Sequence, residues 1–415
     1  MREGRRTSSR GRVGGTTRRV RFLAICVGAV CMLAACGPTR LAGDTGQVDG
    51  QVSTQPILQP LKGAGREVPV PPDGNAYFGA QLDWSSDSPA AYTARLGRSP
   101  AIYGRFISFP VTSAARTFLN VEVAEIGQEH AMLFLTLEPI NGLQAVTPQA
   151  ATDLAHILAV WNEEGVDVFV RFGQDMNGSW YSWGQQPTEY IRAFRIVADA
   201  VHRIALKSVM VWSPTYAGGY PFPNEMYNAK PTDSDFHVLD TNHDGQLTTY
   251  DNAYTPYYPG DDAVDWVGLT LYNWGCRFPW GANIVAEPNK FVRQVSGTYN
   301  GLCGNESMDG NFYQEFAVGH DKPMALSETS ALYDEANAGQ GSTNLQIKQA
   351  WMSQVLDPSL GKIFPLLKLE NWFEYRQTEL GVTGIVDWRA TRDPEVLATI
   401  TGYLGERFIL APIAQ

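Results

Sequence analysis

Two carboxylates stand out as candidates for chemistry because each closely follows a short apolar run. Asp175 lies in Arg171-Phe172-Gly173-Gln174-Asp175-Met176-Asn177-Gly178-Ser179-Trp180-Tyr181-Ser182-Trp183-Gly184, a stretch dense in amides and aromatic rings. Glu328 lies in Met324-Ala325-Leu326-Ser327-Glu328-Thr329-Ser330. Carboxyl groups brought from two strand ends can divide the work of bond cleavage. One, kept protonated by its surroundings, donates to a leaving oxygen; the other, kept charged, attacks carbon. Glycosidic cleavage with retention needs such a pair about 5 Å apart. Arg171 is placed to hold a neighbouring carboxylate ionised. For either acid alone, a structural role is the alternative: capping a helix, or pairing with Arg171 or Lys322.

The rings near these acids fit the apolar faces of sugars. Trp180, Tyr181, Trp183, Tyr272, Trp274 and Trp372 are candidate stacking surfaces, and Gln174 and Asn177 supply amides for hydroxyls. Core packing with one satisfied polar edge is the alternative for each ring.

A separate constellation spans residues 240–251. Asp240, Asn242, Asp244, Thr248 and Asp251 fall at positions 1, 3, 5, 9 and 12 of an EF-hand-like loop, Gly245 stands at the turn, and Gln246 offers its backbone carbonyl. Aspartate at position 12 reaches an ion less easily than glutamate does. A structural Ca2+ is therefore expected here, with no cofactor for catalysis. None of the six histidines forms the i, i+4 pair of a hydrolytic zinc site.

These residues need a scaffold that gathers strand ends. Eight apolar runs recur at Tyr77–Leu82, Ala101–Phe106, Ala131–Leu137, Val166–Phe172, Ser208–Trp212, Val264–Tyr272, Pro323–Leu326 and Phe364–Leu369. Helical spacing fills Pro148–Glu163, Pro187–Ile204 and Asn344–Leu356. Thr147 and Thr343 suit N-caps, and Pro187 suits a first helical position. Alternating β and α units with nearly continuous apolar strands predict a buried parallel sheet. Eight of them predict a single (β/α)8 TIM barrel, here with a long insertion after strand 5. In such a barrel the site lies at the carboxyl ends of the strands.

The first 35 residues carry eight arginines against Glu3 and then an apolar run from Phe22 to Ala35, the profile of an export signal. That run is about a dozen residues, short of the roughly 20 that span a bilayer. It ends in Leu33-Ala34-Ala35-Cys36-Gly37, which resembles a bacterial lipobox. The expected order is a signal at 1–35, a lipidated flexible tether at 36–75 and a catalytic domain at 76–415. Lipid on Cys36 would place the chain outside the cytoplasm, anchored to the bacterial cell membrane. The formal net charge of −11 becomes more negative once the arginine-rich segment leaves, which argues against nucleic acid as a partner. Cys276 and Cys303 remain; a disulfide is the simplest reading, and two free thiols are the alternative.

The stretch from Arg171 to Gly184 closely resembles the fourth-strand motif of family 26 glycoside hydrolases, where an arginine, His-Glu-Met-Asn-Gly and tryptophans follow in this order. Supporting likeness lies in Gly79-Ala80-Gln81-Leu82-Asp83-Trp84, Leu137-Glu138-Pro139, Asp265-Trp266-Val267-Gly268-Leu269 with Tyr272 and Trp274, and Ser327-Glu328. The resemblance covers most of residues 77–404. It implies retaining endo-hydrolysis of β-mannan or a related β-1,4 or mixed-linkage polysaccharide. Glu328 would be the nucleophile, Asp175 the acid/base, Tyr272 the hydroxyl orienting Glu328, and Arg171 and Trp180 substrate-site residues. Gln174-Asp175 departs from the family's His-Glu. Aspartate is one methylene shorter, and a misplacement of about 1 Å can cost on the order of 100-fold in rate. The competing expectation is a glycan-binding lipoprotein that has lost catalysis. A monomer is expected in either case.

Overall fold

Each of the eight expected runs becomes a strand of one parallel sheet. They are β1 (Ala76–Leu82), β2 (Ile102–Ser108), β3 (Met132–Glu138), β4 (Val168–Phe172), β5 (Ser208–Trp212), β6 (Trp266–Thr270), β7 (Met324–Thr329) and β8 (Leu367–Glu374). Every strand pairs with the next, and β8 pairs with β1, Leu369 opposite Tyr77 and Trp372 opposite Ala80, so the sheet closes as a (β/α)8 barrel. A short ninth strand, β9 (Phe408–Ile409), adds to β1. The computed structural model describes residues 59–60, 68–223, 225–276 and 278–413. The expected signal at 1–35, Cys36 and most of the tether lie outside the described residues. The barrel belongs to a unit spanning residues 52–415.

Period-2 alternation sorts the side chains between two cores. Phe134, Phe169, Trp266, Ala325 and Leu369 point into the barrel, where Phe169 meets Phe134 at 6.1 Å and Trp266 at 5.0 Å between ring centroids. Val168, Val170, Phe172, Met324 and Leu326 point outward into the larger core shared with the helices. Strands buried on both faces read as nearly unbroken apolar runs, which is why they were visible in the sequence.

The α-helices of six residues or more are α1 (Pro89–Leu96), α2 (Ser113–Gln128), α3 (Pro148–Glu163), α4 (Pro187–Ile204), α5 (Lys290–Val295), α6 (Asn344–Val355) and α7 (Pro394–Tyr403). Thr147 caps α3, accepting from the Ala150 amide at 3.2 Å. Thr343 and Gln346 form a reciprocal capping box on α6. Each such cap contributes about 1 kcal/mol. On α4, Tyr190, Ala193, Phe194, Val197 and Val201 form the buried stripe that an amphipathic helix lays on a sheet.

The long insertion after β5 is present; its described residues hold one four-residue helix, Phe236–Leu239, and a 3-10 turn, Thr255–Tyr257. A second one, not expected, follows β6; it holds α5, a small hairpin and the Cys276–Cys303 disulfide. The last part of the expected tether is structured instead. Val68 is fully buried with Tyr77 and Ile102, and the Tyr77 hydroxyl donates to the Pro69 carbonyl at 3.1 Å, so residues 68–75 pack on the barrel. Among the described residues no helix is long and apolar enough to cross a membrane.

Candidate active site

Arg171 points inward from β4, in phase with Phe169, and is completely buried. Burying a guanidinium costs free energy unless its donors are matched. Here one Nη donates to Glu328 Oε1, and the other donates to Asp175 Oδ1 at 3.3 Å and to Thr270 Oγ1 on β6 at 2.5 Å. Burial draws its pKa down, but Glu328 and Asp175 outweigh that and hold it above its ordinary value. A single cation thus ties together the ends of β4, β6 and β7.

Glu328 reaches that cation because β7 is irregular. Strict alternation would place it with Met324 and Leu326 on the helix-facing side. The register against β6 and β8 shifts just after Leu326, and this bulge turns Glu328 into the barrel mouth. Its second oxygen accepts from Tyr272 Oη at 2.5 Å. Burial, and then Glu328 itself, push the Tyr272 phenol far above its usual range, so it keeps its proton and acts as the donor. Both oxygens of Glu328 are therefore held by donors, which fixes the orientation of the carboxylate.

Asp175 sits at the tip of a tight turn after β4. Its φ is +55° and that of Gly173 is +53°, left-handed values that aspartate and glycine tolerate best. A Cβ at Gly173 would come within 3.1 Å of the Tyr190 ring. The Asp175 amide donates to the Ser213 carbonyl of the next loop at 3.2 Å. Burial raises the Asp175 carboxyl to about 7; Arg171 opposes that rise and Glu328 reinforces it. An acid of that pKa can give a proton and take one back near neutrality. Asp175 and Glu328 thus share one guanidinium.

No model of a known protein family matches the chain. Endoglucanase H of Acetivibrio thermocellus is 22% identical over 278 residues, which is 66% of this chain and 24% of that protein. The chain thus spans about a quarter of the length of this curated relative. Among solved structures, a modular family 26 endo-β-1,4-mannanase from Cellulomonas fimi superposes with a TM-score of 0.50 at 13% identity, covering 82% of this chain and 74% of that one. GH26A from a Muricauda species gives a TM-score of 0.49 at 15% identity, covering 83% and 94%. The fold is that of the family 26 glycoside hydrolases.

Within this barrel the departure at Gln174 has a local explanation. Gln174 is almost fully buried, and its amide donates to Glu138 Oε1 at the end of β3, at 2.8 Å. Glu138 is a third carboxyl in the site, and the sequence-based expectation placed it in a supporting stretch only. Burial raises its pKa, the Gln174 bond opposes that, and Glu328 adds to it. Its one sequence signal is its place at a strand end, directly before Pro139. Glu379, beyond β8, was also missed; it accepts from Trp388 Nε1 at 2.7 Å, and burial, with a contribution from Glu328, raises its pKa.

Three expected substrate contacts are turned away from the cleft. Asn177 is fully buried and spends both ends of its amide on the Thr215 backbone, at 2.8 and 2.9 Å, so it braces two loops. Trp183 is 2% exposed; its indole N–H donates to the Gln174 carbonyl at 2.8 Å and its ring stacks on Tyr181 at 4.4 Å. Trp372 is fully buried in the core shared with the helices, because its parity on β8 points it outward. Half-buried Trp180 packs on Phe222 at 5.1 Å. Trp274 belongs to an aromatic cluster at the barrel mouth with Phe106, Tyr272, Trp280, Phe373, Tyr375 and Trp388.

In the loop at 240–251 the side-chain oxygens accept from backbone amides. Asp240 holds Asp244 and Gly245, Asn242 holds Asp244, Asp244 holds Gln246, Thr248 holds Tyr250, and Asp251 holds Thr241, Asn242 and Thr248. Gly245 takes a φ of +82° at the turn position. Among the described residues no three acidic, histidine or cysteine side chains gather closely enough to hold an ion.

Proposed function

We propose that this protein is a retaining endo-β-glycoside hydrolase acting on β-mannan or a related β-1,4 or mixed-linkage polysaccharide. The observation that carries this is the fully buried Arg171, which bonds two carboxyl groups from different strand ends, one of them with a pKa raised to about 7. In the first step Asp175 passes its proton to the glycosidic oxygen. The leaving sugar departs as an oxygen of Glu328 bonds to the anomeric carbon. In the second step Asp175, charged beside Arg171, takes a proton from water, whose oxygen displaces Glu328 from that carbon. Two inversions give net retention. Tyr272 orients Glu328 throughout, and neither step draws on a cofactor.

The relative's name, an endoglucanase, and that of the Cellulomonas fimi neighbour, a mannanase, leave the sugar to be measured. Reducing-end release from β-mannan, β-1,3/1,4-glucan and xylan tests the reading. Wild-type turnover that survives in Glu328→Ala would overturn it.

The glycan-binding alternative has one supporting observation. The short Asp175 side chain accepts from Arg171, and that contact competes with any contact to substrate. Under this alternative, wild type is retained by polysaccharide without turnover, and Asp175→Glu gains turnover.

The same proposal places the chain outside the cytoplasm, lipid-anchored through Cys36, a location carried by the sequence of residues 1–37. Metabolic labelling with a fatty acid, lost in Cys36→Ala, tests the anchor. It also includes a structural Ca2+ held by Asp240, Asn242, Asp244, Gln246, Thr248 and Asp251, for which the donor order and the left-handed Gly245 are the support.

A further inference from the structure

The Cys276–Cys303 disulfide lies in the insertion after β6, next to a file of aromatic rings leading away from the carboxylates. It starts at Tyr272, which donates to Glu328. Trp274 follows at 6.0 Å between ring centroids, Trp280 at another 6.0 Å, and Phe278 at a further 6.0 Å. Trp274 and Trp280 are half-buried, and Phe278 at the outer end is 64% exposed.

Trp274 and Trp280 pack on a buried cluster of Leu332, Phe373, Val386 and Trp388, and that packing leaves part of each ring uncovered. Several buried indoles spend their N–H groups internally, Trp183 on Gln174, Trp351 on Thr329, Trp372 on Trp388 and Trp388 on Glu379, whereas those of Trp212 and Trp266 have no acceptor among the described residues. Neither the Trp274 nor the Trp280 N–H finds an acceptor among the described residues. A large ring left in water forfeits the gain of burial, and an exposed file of rings continuous with a cleft marks a binding surface.

The file is also braced. The Phe278 ring lies over Gly381, where a Cβ would come within 2.3 Å of it, so the loop after β8 can approach only with glycine there. At Gly281, whose φ is +108°, a Cβ would meet Asp334 at 2.7 Å. Rings fixed in advance bind without first losing rotamer freedom.

We propose that Trp274, Trp280 and Phe278 form an outer sugar-stacking track for the distal units of a β-linked glycan, so that the protein favours long chains over short ones. This rests on the glycan-cleft reading above. Successive ring centroids are 6.0 Å apart, on the scale of one hexose, with the Trp280 plane turned 43° from Trp274 and the Phe278 plane 87° from Trp280. Aromatic faces pair with the apolar faces of pyranoses, and the two free indole N–H groups are donors for hydroxyls.

The test compares wild type with Phe278→Ala and Trp280→Ala. The first readout is kcat/KM for a β-linked hexasaccharide and for an aryl β-disaccharide. The second is electrophoretic retardation in gels containing β-mannan, mixed-linkage β-glucan or xylan. Each variant is expected to lower the hexasaccharide-to-disaccharide ratio about tenfold, equivalent to about 1.4 kcal/mol, and to lose retardation. Phe278→Ala removes an exposed ring, so it reports on binding even if Trp280→Ala folds poorly. An unchanged ratio with unchanged retardation overturns the track while leaving the hydrolase reading standing, as does an equal loss on both substrates. A wild type that is retarded but cleaves nothing sinks the hydrolase reading, and the track then stands or falls on whether Phe278→Ala abolishes retardation. A wild type neither retarded nor active overturns both, and the exposed rings would then serve a protein partner.

Discussion

Replacing Asp175 with asparagine should stabilise the protein at alkaline pH while removing its activity. Asp175 has a folded-state pKa of about 7 against 3.8 for a free side chain. Folding therefore favours its protonated form. The stability contributed by Asp175 is complete below pH 3.8, falls as pH rises toward 7 and levels off above that. About three units at 1.36 kcal/mol each come to on the order of 4 kcal/mol. Little of that is lost to solvent screening, because the side chain is 12% exposed. Asparagine keeps the shape and an acceptor for Arg171 but never ionises. Urea unfolding should show Asp175→Asn more stable than wild type by about 2 to 4 kcal/mol at pH 8, with most of that gap gone at pH 4.5. Polysaccharide hydrolysis should fall by roughly 10²- to 10⁴-fold. A variant less stable than wild type at pH 8, or a gap independent of pH, would refute the assignment of the raised pKa to burial of this carboxyl.

Tyr272→Phe removes one hydrogen bond to a carboxylate, worth about 1.5 to 3 kcal/mol, so kcat should drop roughly 10- to 100-fold while the circular dichroism spectrum is kept; an unchanged kcat would take Tyr272 out of the site. Trp372→Ala should lower stability by about 3 to 5 kcal/mol, read by urea unfolding, because the ring is fully buried in the core; a raised KM with stability unmoved would return it to the cleft. Adding Ca2+ to chelator-treated protein should raise Tm by several degrees, and Asp240→Ala should abolish the rise; a Tm indifferent to Ca2+ would end the metal assignment.

The barrel was legible because parallel strands buried on both faces cannot hide their composition. The caps at Thr147 and Thr343 were legible because only a few side chains satisfy a free helix amide. Asp175 and Glu328 could be picked out as acids at strand ends, yet how Glu328 reaches the mouth was not visible. Its alternation with Met324 and Leu326 points the wrong way, and a bulge set by the neighbouring strands reverses it. Facing was also what failed for Asn177, Trp183 and Trp372. An amide or an indole reads the same in sequence whether its polar atoms meet a sugar or the backbone of Thr215, Gln174 or Trp388. Glu138 was overlooked because its partner, Gln174, is 36 positions away and meets it only after β3 and β4 pair. The insertion after β6 lacks the apolar periodicity that marks the barrel helices, so of the track's rings only Trp274 was picked out, and Phe278 and Trp280 carried no signal of a shared surface.

Chemical trapping asks most directly whether Asp175 and Glu328 act on one sugar ring. Protein incubated with 2-deoxy-2-fluoro-β-mannosyl and 2-deoxy-2-fluoro-β-glucosyl fluorides, then digested and analysed by mass spectrometry, should carry one added glycosyl group on the peptide containing Glu328. Asp175→Asn should still form that adduct, because fluoride departs without a proton, while Glu328→Gln should not. An adduct on another carboxylate, or turnover of these fluorides with no sugar attached to Glu328, would contradict the proposed division of roles.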